Sequence, residues 1–571
     1  MFGKGFHRTT LGIAILLCVV IAIMRFAAAG RDDTFIILWA GKTFSFQQWF
    51  VNYNGAHEEI VSSTIAPWIA ALGYAITPLT PLLFYKVVSL AVSAYYLYSV
   101  WQQRKIIFSP GLPEALVPLV IFSIGISPMF EYWTLGGLET PFQTLLFLMV
   151  PVSQVRYHLD RSRTNGIVFG FLLALLPLVR TEGFIYIFAS LAFILIARRP
   201  PAISSVMRPI LFSCISTVVL FSARFLFTGA LWPNPTYAKI GGLLDQLPVG
   251  YSYVSGYYIT GGAAAWLQGI GTICAISNLV FYTVSRKPRN ALLPSQLLSI
   301  ALSIYVVLHE TFLVFCGGDW MEYYRFMVPT MPLKILLLVN SIAGLLTRLT
   351  IKNGTPTTAA ALPVGVVLLC VGAAFQQTFV PASPGNCASP LSSGGLSALS
   401  LTAIENELIQ HNCALGRDQE AVLPFIRNEL PRYVQRVGQV RVASVQAGYF
   451  PYQIREEFSS DKVFFIDTLG LATREVALTA GTKARIGIAD GRHLDKVLAG
   501  KAGRVSDVVL GMHPNMVYLI RATPDVCGSL AKLGYALVWN RPHALVFFKD
   551  PSTLGNTSEQ LARQCRVDAP P

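Results

Sequence analysis

Apolar residues in this chain are concentrated in long runs between Leu11 and Phe379, with short clusters of charged residues between the runs. Apolar runs of this length with almost no charge are typical of membrane-spanning helices rather than of helices in a soluble core. The pattern predicts about eleven spans, at residues 11–29, 82–101, 113–127, 141–155, 165–179, 183–197, 209–227, 262–284, 291–315, 327–346 and 359–379. We therefore expect an α-helical polytopic membrane domain.

The residues after Val380 follow a different pattern, that of a soluble domain of mixed α/β type. Helical periodicity occurs at residues 396–410 and 420–435, and strand-like runs occur at residues 440–445, 462–466, 516–520, 536–539 and 544–548. A stretch rich in Pro, Ser and Gly connects the two patterns. The predicted organisation is a transmembrane domain over residues 1–380, a linker over residues 381–395 and an α/β domain over residues 396–571.

The charge distribution predicts the orientation of the chain in the membrane. Only 13% of the residues are charged, against about 25% in soluble proteins. The net charge of +14 does not indicate nucleic-acid binding, because the basic residues recur in alternate loops. By the positive-inside rule these loops and the N-terminus are cytoplasmic. An odd number of spans then places the α/β domain outside a bacterial plasma membrane, in the periplasm or its equivalent.

The first span and the cysteines fit this arrangement. Arg25 interrupts the region in which a signal peptide would be cleaved, so we expect the first span to stay as an anchor. The α/β region contains an even number of cysteines, which suits disulfides in an oxidising compartment. These cysteines are Cys387, Cys413, Cys527 and Cys565. Their pairing stays open.

Some of the predicted spans are too short to cross a membrane. The runs 113–127, 165–179 and 183–197 hold 15 residues each, enough for about 22 Å of helix, whereas a bilayer core is about 30 Å thick. The turn from Arg180 to Gly183 lies between two of these runs. We therefore expect it to be recessed below the outer surface, beside protein or water, in a cavity lined by charge.

The candidate catalytic residues are Asp32 and Asp33, directly after the first span. Two adjacent carboxylates repel each other, so the pKa of one of them should rise. Such a carboxylate can act as a general base towards a hydroxyl, and the pair can hold a divalent cation. No other metal site and no further cofactor is predicted. The alternative is a charged stop after an anchor helix.

Further outer segments combine aromatic rings with charged side chains. They are Glu131 to Pro141, Leu178 to Gly183, Trp232 to Lys239 and Gly317 to Pro329. Aromatic rings stack on sugars, and Arg or Lys side chains bind phosphate. Interfacial anchoring by an aromatic belt is the competing interpretation for any single segment.

The ordered set of these motifs resembles a known family. Asp32-Asp33-Thr-Phe-Ile is followed by Asn52-Tyr-Asn-Gly, Trp133-Thr-Leu-Gly-Gly-Leu-Glu-Thr-Pro, Arg180-Thr-Glu-Gly, Pro233-Asn-Pro-Thr-Tyr-Ala-Lys, Gly318-Asp-Trp with Arg325-Phe, and Phe465-Ile-Asp-Thr-Leu-Gly-Leu. The set is similar to the GT-C glycosyltransferases, and most similar to the branch with the terminal arabinofuranosyltransferases of the mycobacterial cell wall.

The resemblance implies transfer of a sugar, expected to be arabinofuranose, from a polyprenyl-phosphate donor. Transfer would occur on the outer face with inversion at the sugar carbon, and Asp32 or Asp33 would be the base. The acceptor would be a cell-envelope polysaccharide, a lipopolysaccharide or an exported protein. The stretch Asn54-Gly-Ala-His-Glu-Glu departs from the family pattern and leaves the donor sugar and the acceptor open.

The remaining site residues follow from charge and residue type. Candidate ligands of the donor phosphate are Arg180, Lys239 and Arg325. Candidate sugar or acceptor ligands are Tyr53, Asn54, His57, Glu58, Trp133, Glu139, Glu182, Asn234, Tyr237, Asp319 and Trp320. The alternative function is that of a transporter or flippase of lipid-linked sugars, although such proteins place charges near the membrane midplane and often contain repeats.

Overall fold

The computed structural model describes most of the chain and contains two compact units. The described residues are 4–26, 32–47, 49–76, 80–110, 112–197, 203–239, 243–284, 292–319, 324–353, 365, 367–370, 421–479, 492–502, 504–520, 522–541 and 544–549. The first unit comprises Met1–Ala27, Lys86–Phe221 and Leu243–His411. The second comprises Ala28–Tyr85, Ser222–Gly242 and Asn412–Pro571, so it combines two segments from between the apolar runs with the α/β region.

The first unit is helical. Its helices are α1 (Lys4–Phe26), α4 (Pro81–Gln102), α5 (Arg104–Ile107), α6 (Val117–Gly125), α7 (Pro128–Leu135), α8 (Thr140–Leu159), α9 (Arg163–Val179), α10 (Ile185–Ala197), α11 (Ile203–Thr228), α13 (Leu243–Thr260), α14 (Gly262–Val284), α15 (Pro294–Phe315) and α16 (Met331–Asn353), and α4 and α11 continue into the second unit. Single 3₁₀ turns precede α6, α10 and α16, at Glu114–Leu116, Thr181–Phe184 and Arg325–Thr330.

In the described part of the chain, 5 helices are long and apolar enough to cross a membrane. They are Pro81–Gln102, Met207–Thr228, Gly262–Val284, Pro294–Phe315 and Arg325–Leu345. The predicted spans at 82–101, 209–227, 262–284, 291–315 and 327–346 are therefore apolar helices of membrane length. The predicted span 141–155 lies within α8. The predicted span 359–379 lies almost wholly outside the described residues.

The short runs are helical, and one of them continues further than expected. The run 113–127 does not form one short helix. Glu114–Gly125 and Pro128–Leu135 are two helices bent by 61°, and counting them as one span raises the total among the described residues to 6. The bend lies at Ser127 because proline disfavours helical geometry in the residue before it and is well suited to the first position of a new helix. Residues 163–179 and 181–197 form short apolar helices, as expected.

The second unit contains a mixed sheet and the helices around it. Its elements are α2 (Asp32–Gln47), α3 (Ile65–Ile76), α12 (Asn234–Lys239), a π-helical turn (Phe425–Glu429), α17 (Leu430–Val437), β1 (Val440–Ser444), α18 (Tyr449–Glu457), β2 (Val463–Asp467), α19 (Arg474–Ala477), α20 (Arg492–Leu498), α21 (Arg504–Gly511), β3 (Met516–Leu519), α22 (Pro524–Lys532), β4 (Tyr535–Arg541) and β5 (Ala544–Lys549). All the strand-like runs in the sequence are strands.

The sheet has the order β2-β1-β3-β5-β4. Strand β1 is parallel to β2 and β3, with Val442 opposite Phe465 on one side and Met516 on the other. Strand β5 is antiparallel to β3 and β4. The central strands are buried along nearly their whole length, as expected for a sheet covered on both faces. The described part of residues 396–571 is therefore of mixed α/β type.

The cysteines divide as the sequence suggested. Cys527 is buried and disulfide-bonded. Cys387, Cys413 and Cys565 lie outside the described residues, as does the predicted linker 381–395. The described cysteines of the first unit are free.

Candidate functional site

The turn after α9 presents the first candidate side chain of the first unit. The backbone N–H of Arg180 donates to the carbonyl of Leu176, which ends the helix. A side chain at Gly183 would place its Cβ only 2.2 Å from the backbone of Leu176. Only glycine allows the chain to turn back so closely, and this explains the glycine in the motif Arg180-Thr-Glu-Gly.

Arg180 lies in a buried ion network. Its Nη1 is 2.5 Å from Oε1 of Glu139, and its Nε donates to Oε1 of Glu182. Arg180 is 4% exposed and Glu139 is 3% exposed. Charge-assisted hydrogen bonds of this kind fix a guanidinium in one orientation, and removal of one partner leaves a buried charge uncompensated.

Arg325 belongs to the same network. Its Nε donates to Oδ2 of Asp319 over 2.8 Å. The guanidinium carbons of Arg180 and Arg325 lie 4.2 Å and 4.8 Å from the centre of the Phe326 ring, and that of Arg325 lies 5.9 Å from the Trp133 ring. Both cations therefore interact with one aromatic ring. We call this group the arginine cluster; its members are Trp133, Glu139, Arg180, Glu182, Asp319, Arg325 and Phe326.

The charge of the arginine cluster matters for phosphate binding. Three carboxylates face two guanidiniums in it. A guanidinium has five N–H donors, so a paired arginine can still bind a further anion. The carboxylates already compensate the positive charge, however, and their main effect is to hold the arginines in place. Phosphate binding by Arg180 and Arg325 stays a prediction.

His309 supports the arginine cluster from α15. Its Nε2 lies 2.6 Å from the carbonyl oxygen of Phe326 and its Nδ1 lies 2.5 Å from the hydroxyl of Tyr186. A carbonyl only accepts hydrogen bonds, so Nε2 donates, and Nδ1 accepts from the tyrosine. Sequence reasoning missed both residues. The available signal was a histidine within an apolar run, which is often functional.

A second buried pair in the first unit was also missed. Nζ of Lys334 lies 2.6 Å from Oε1 of Glu310, and the lysine side chain is completely buried. The hydroxyl of Tyr258 donates to the same carboxylate oxygen over 2.6 Å and accepts from Lys334 over 3.0 Å. This pair joins α13, α15 and α16.

In the second unit, Asp32 and Asp33 are the first residues of α2. This position suits carboxylates, because the helix dipole is positive there. Oδ2 of Asp32 accepts from the backbone N–H of Gly448 over 3.0 Å, and Oδ1 accepts from that of Tyr449 over 2.8 Å. Both oxygens of Asp32 are therefore held by the α/β domain.

The pKa of Asp32 is raised from 3.8 to about 7. The largest cause is removal of the carboxylate from water, and the negative charges of Asp33 and Asp467 raise it further, whereas the N–H bonds from Tyr449 and Gly448 lower it. The direction is the one expected for adjacent carboxylates, but burial contributes more than the neighbouring charge.

Tyr53 and Asn54 lie in the turn after α2, where they contact the α/β domain. The side-chain amide of Asn54 donates to the carbonyl of Phe465 over 2.7 Å and accepts from its N–H over 2.8 Å, as a neighbouring strand would. Tyr53 is 1% exposed and packs between the rings of Trp39 and Phe465. The guanidinium of Arg455 donates to the carbonyl of Tyr53. Both residues thus connect the turn after α2 to the α/β domain, and a binding role stays a prediction.

Glu58 and Asn234 form a second connection within this unit, between the segment after α2 and the beginning of α12. The amide of Asn234 donates to Oε2 of Glu58 over 2.9 Å, and the backbone N–H of Asn234 donates to the carbonyl of Glu59 over 2.9 Å. Glu59 pairs with Arg224, whose Nε and Nη2 lie 2.6 Å and 3.2 Å from its two carboxylate oxygens. Arg474 of α19 also contacts this group, because its Nε donates to Oδ1 of Asn234 over 3.4 Å.

The remaining predicted ligands belong to different parts of the chain. His57 is exposed in the turn between Asn54 and Glu58. Tyr237 and Lys239 are half-buried on α12, in the second unit, whereas the other candidate phosphate ligands, Arg180 and Arg325, belong to the first. Trp320 lies outside the described residues.

The described residues contain no group of His, Cys, Asp or Glu side chains arranged to hold a metal ion. A divalent cation at Asp32 and Asp33 stays a prediction. At Asp32 such an ion would share the carboxylate oxygens with two backbone N–H groups.

The fold has a counterpart among solved structures. No family model and no curated protein sequence matches the chain. The chain is similar in structure to ArnT from Cupriavidus metallidurans bound to undecaprenyl phosphate, with a TM-score of 0.50 and 14% identity over 97% of this chain and 100% of ArnT. The apo state of ArnT gives a TM-score of 0.47 with 15% identity over 97% and 99% of the two chains. At this identity the similarity shows that the chain shares the fold of ArnT over nearly its whole length.

Proposed function

We propose that this chain is a membrane glycosyltransferase that moves a sugar from a polyprenyl-phosphate donor to a hydroxyl group. The observation that carries the proposal is the fold shared with ArnT, which was crystallised with undecaprenyl phosphate, a polyprenyl phosphate. Apolar helices of membrane length in this chain support a location in the lipid bilayer, where such a donor resides. The motifs that resemble GT-C enzymes support the same function.

The proposed chemistry is a direct displacement at the sugar carbon. Asp32 or Asp33 takes the proton of the acceptor hydroxyl, and the acceptor oxygen forms a bond to the anomeric carbon. The bond from that carbon to the phosphate oxygen breaks, and polyprenyl phosphate leaves with the electron pair, so the sugar carbon inverts. A base with a pKa of about 7, as Asp32 has, is well matched to this task near neutral pH.

Arg180 and Arg325 are the proposed partners of the donor phosphate in the first unit. Their guanidiniums are buried, preorganised by carboxylates and set against one aromatic ring. Fixed positive groups stabilise charge on a leaving phosphate without reorganising during the reaction. Lys239 is a further proposed ligand, from the second unit.

The finer assignments are proposed on narrower grounds. Arabinofuranose as the sugar is supported by the motif resemblance alone, and the acceptor is a cell-envelope glycan or an exported protein. Transfer on the outer face is supported by the basic residues in alternate loops and by the disulfide at Cys527, which suits an oxidising compartment.

The test is sugar transfer by the purified full-length protein in lipid nanodiscs. Polyprenyl-phosphate arabinofuranose is supplied with a panel of envelope glycans, and other polyprenyl-phosphate sugars are compared. Wild type should transfer sugar, and D32N, which removes the proposed base, should lose transfer while keeping its abundance. D245N is the matched control, because Asp245 is an exposed carboxylate outside the site. Movement of the lipid-linked sugar across the membrane without transfer would contradict the proposal and favour a transporter.

A further inference from the structure

The carboxylate of Asp32 is bound at the beginning of a helix of the α/β domain. Gly448 and Tyr449 are the N-cap and the first residue of α18, a helix of 9 residues, and their N–H groups point at the two carboxylate oxygens. The ring of Phe35, on the same helix as Asp32, lies 4.8 Å from the ring of Tyr449 in an edge-to-face arrangement. The contact therefore combines charge-assisted hydrogen bonds with aromatic packing.

This position is the one at which α/β folds bind anions. Helix α18 directly follows β1, and the chain passes from β1 to β2 on one side and then to β3 on the other, so the strand order reverses at β1. Ligands of open α/β sheets bind outside the carboxyl ends of the strands at such a point, and helix N-termini there bind anions. In this chain the anion is the carboxylate of its own Asp32.

The approach of the two segments leaves no room for a side chain at position 448. A Cβ on Gly448 would lie 1.8 Å from the backbone oxygen of Asp32 and 2.7 Å from its side-chain carboxyl carbon. Gly448 thus allows the backbone of the α/β domain to reach the beginning of α2.

We propose that Gly448 and Tyr449 are positioning residues for Asp32, so that the α/β domain completes the catalytic centre by orienting the general base. This inference rests on the proposed function. Each carboxylate oxygen has a second lone pair, so an oxygen that accepts one backbone N–H can still accept the proton of an acceptor hydroxyl. The two N–H bonds hold the carboxylate in one orientation. Without them, the side chain of Asp32 would have to adopt this orientation again at each turnover.

The same bonds influence the ionisation of Asp32. The ionisable groups that face it are Asp33 on α2, Asp467 on β2 and Tyr53 in the turn after α2. The N–H bonds are the contacts that lower its pKa against burial and the two negative charges. Loss of either bond should therefore raise the pKa of Asp32 and move the acid limb of the transfer rate to higher pH.

The first test compares two glycine substitutions in the full-length protein. G448A should lower kcat by about tenfold or more, the typical worth of a hydrogen bond to a charged group, and should move the acid limb to higher pH. G528A is the matched control, since a Cβ at Gly528 meets nothing within 4 Å; it should leave kcat and the limb unchanged. A G448A protein with the wild-type kcat and acid limb overturns the inference.

A second pair separates the N–H group from the side chain. Y449P removes one donor to Asp32 at a position where proline suits a helix, whereas Y449A keeps the donor and removes the ring. Y449P should shift the acid limb to higher pH, and Y449A should leave it in place; equal limbs in the two variants contradict the inference.

Hydrogen exchange gives a readout that does not depend on activity. In D32A the amides of residues 448 and 449 should exchange faster than in wild type, and in D245A they should not. Unchanged exchange in D32A overturns the inference even if transfer is observed. An absence of transfer in wild type, with faster exchange in D32A, contradicts the proposed function and with it the catalytic meaning of the contact.

Discussion

Ionisation of Asp32 should set the pH dependence of sugar transfer. The pKa of Asp32 is about 7, so the carboxylate form needed for proton abstraction accounts for half of the molecules near that pH. One pH unit below the pKa, roughly a tenth of the molecules are ionised, and two units below, roughly a hundredth. We therefore expect kcat/KM to fall by about tenfold per pH unit on the acid side.

Substitution of the neighbouring carboxylate, Asp33, should change the pKa of Asp32. The negative charge of Asp33 is one cause of the raised pKa of Asp32. D33N removes this charge and should move the acid limb to lower pH, while D32N should remove transfer at every pH. The opposite pattern would assign the base role to Asp33. In D33N the pKa of Asp32 should fall only part of the way back to 3.8, because burial raises this pKa more than the charge of Asp33 does.

The assay is the initial rate of transfer at a series of pH values, with the protein in nanodiscs and the donor at a concentration well below KM. The donor is a phosphodiester with no second ionisation near neutrality, so it adds no limb of its own. His57 is exposed in the turn between Asn54 and Glu58, and H57Q serves as a comparison. A limb that moves in H57Q and stays in D33N would refute the reasoning.

Three further predictions concern stability. Glu59 and Arg224 form a buried pair, so R224A should lower the free energy of unfolding by about 3–5 kcal/mol. In a double-mutant cycle with E59A, the two losses should be far from additive. Additive losses in denaturant titrations would contradict this prediction. G183A should lower the apparent Tm, with a cost of about 1–3 kcal/mol from overpacking, whereas G344A, whose Cβ would meet nothing within 4 Å, should not; equal Tm values would be the contrary result. Reduction of the disulfide at Cys527 should cost about 2–5 kcal/mol, so dithiothreitol should lower the Tm of wild type more than that of C527S.

Local patterns predicted most of the secondary structure. The strands of the α/β domain and the long apolar helices follow from periodicity and run length, because these depend on residues close together in the chain. The break after Gly125 follows from a local signal as well, since Pro128 favours a new helix there. Reading this apolar run as a single short span overlooked that signal.

Long-range contacts account for what the sequence did not predict. Asp32 and Gly448 are separated by 416 residues, and no periodicity connects them. Tyr53 and Asn54 combine a ring and an amide, which suits a sugar, but the same groups pair equally well with the edge strand at Phe465. The sequence therefore did not predict these contacts with the α/β domain, and a sugar-binding role of the two residues stays a prediction.

The arginine cluster illustrates the same limit. The sequence marked Arg180, Glu139 and Asp319 as candidates, but assigned the arginine to phosphate and the acids to the sugar. The structure pairs Arg180 with Glu139, and Arg325 with Asp319. Which charges compensate each other depends on the distances between the motifs in the folded chain. These distances cannot be deduced from the order of the motifs in the sequence.

The most direct test of the account is a single-turnover reaction of the purified protein with a polyprenyl-phosphate sugar and its acceptor, followed by NMR of the product. The account predicts a new glycosidic bond of inverted configuration and stoichiometric release of polyprenyl phosphate in wild type, with neither product in D32N. Wild-type protein that binds the donor without forming a glycosidic bond, or a D32N protein that transfers sugar at the wild-type rate, would contradict it.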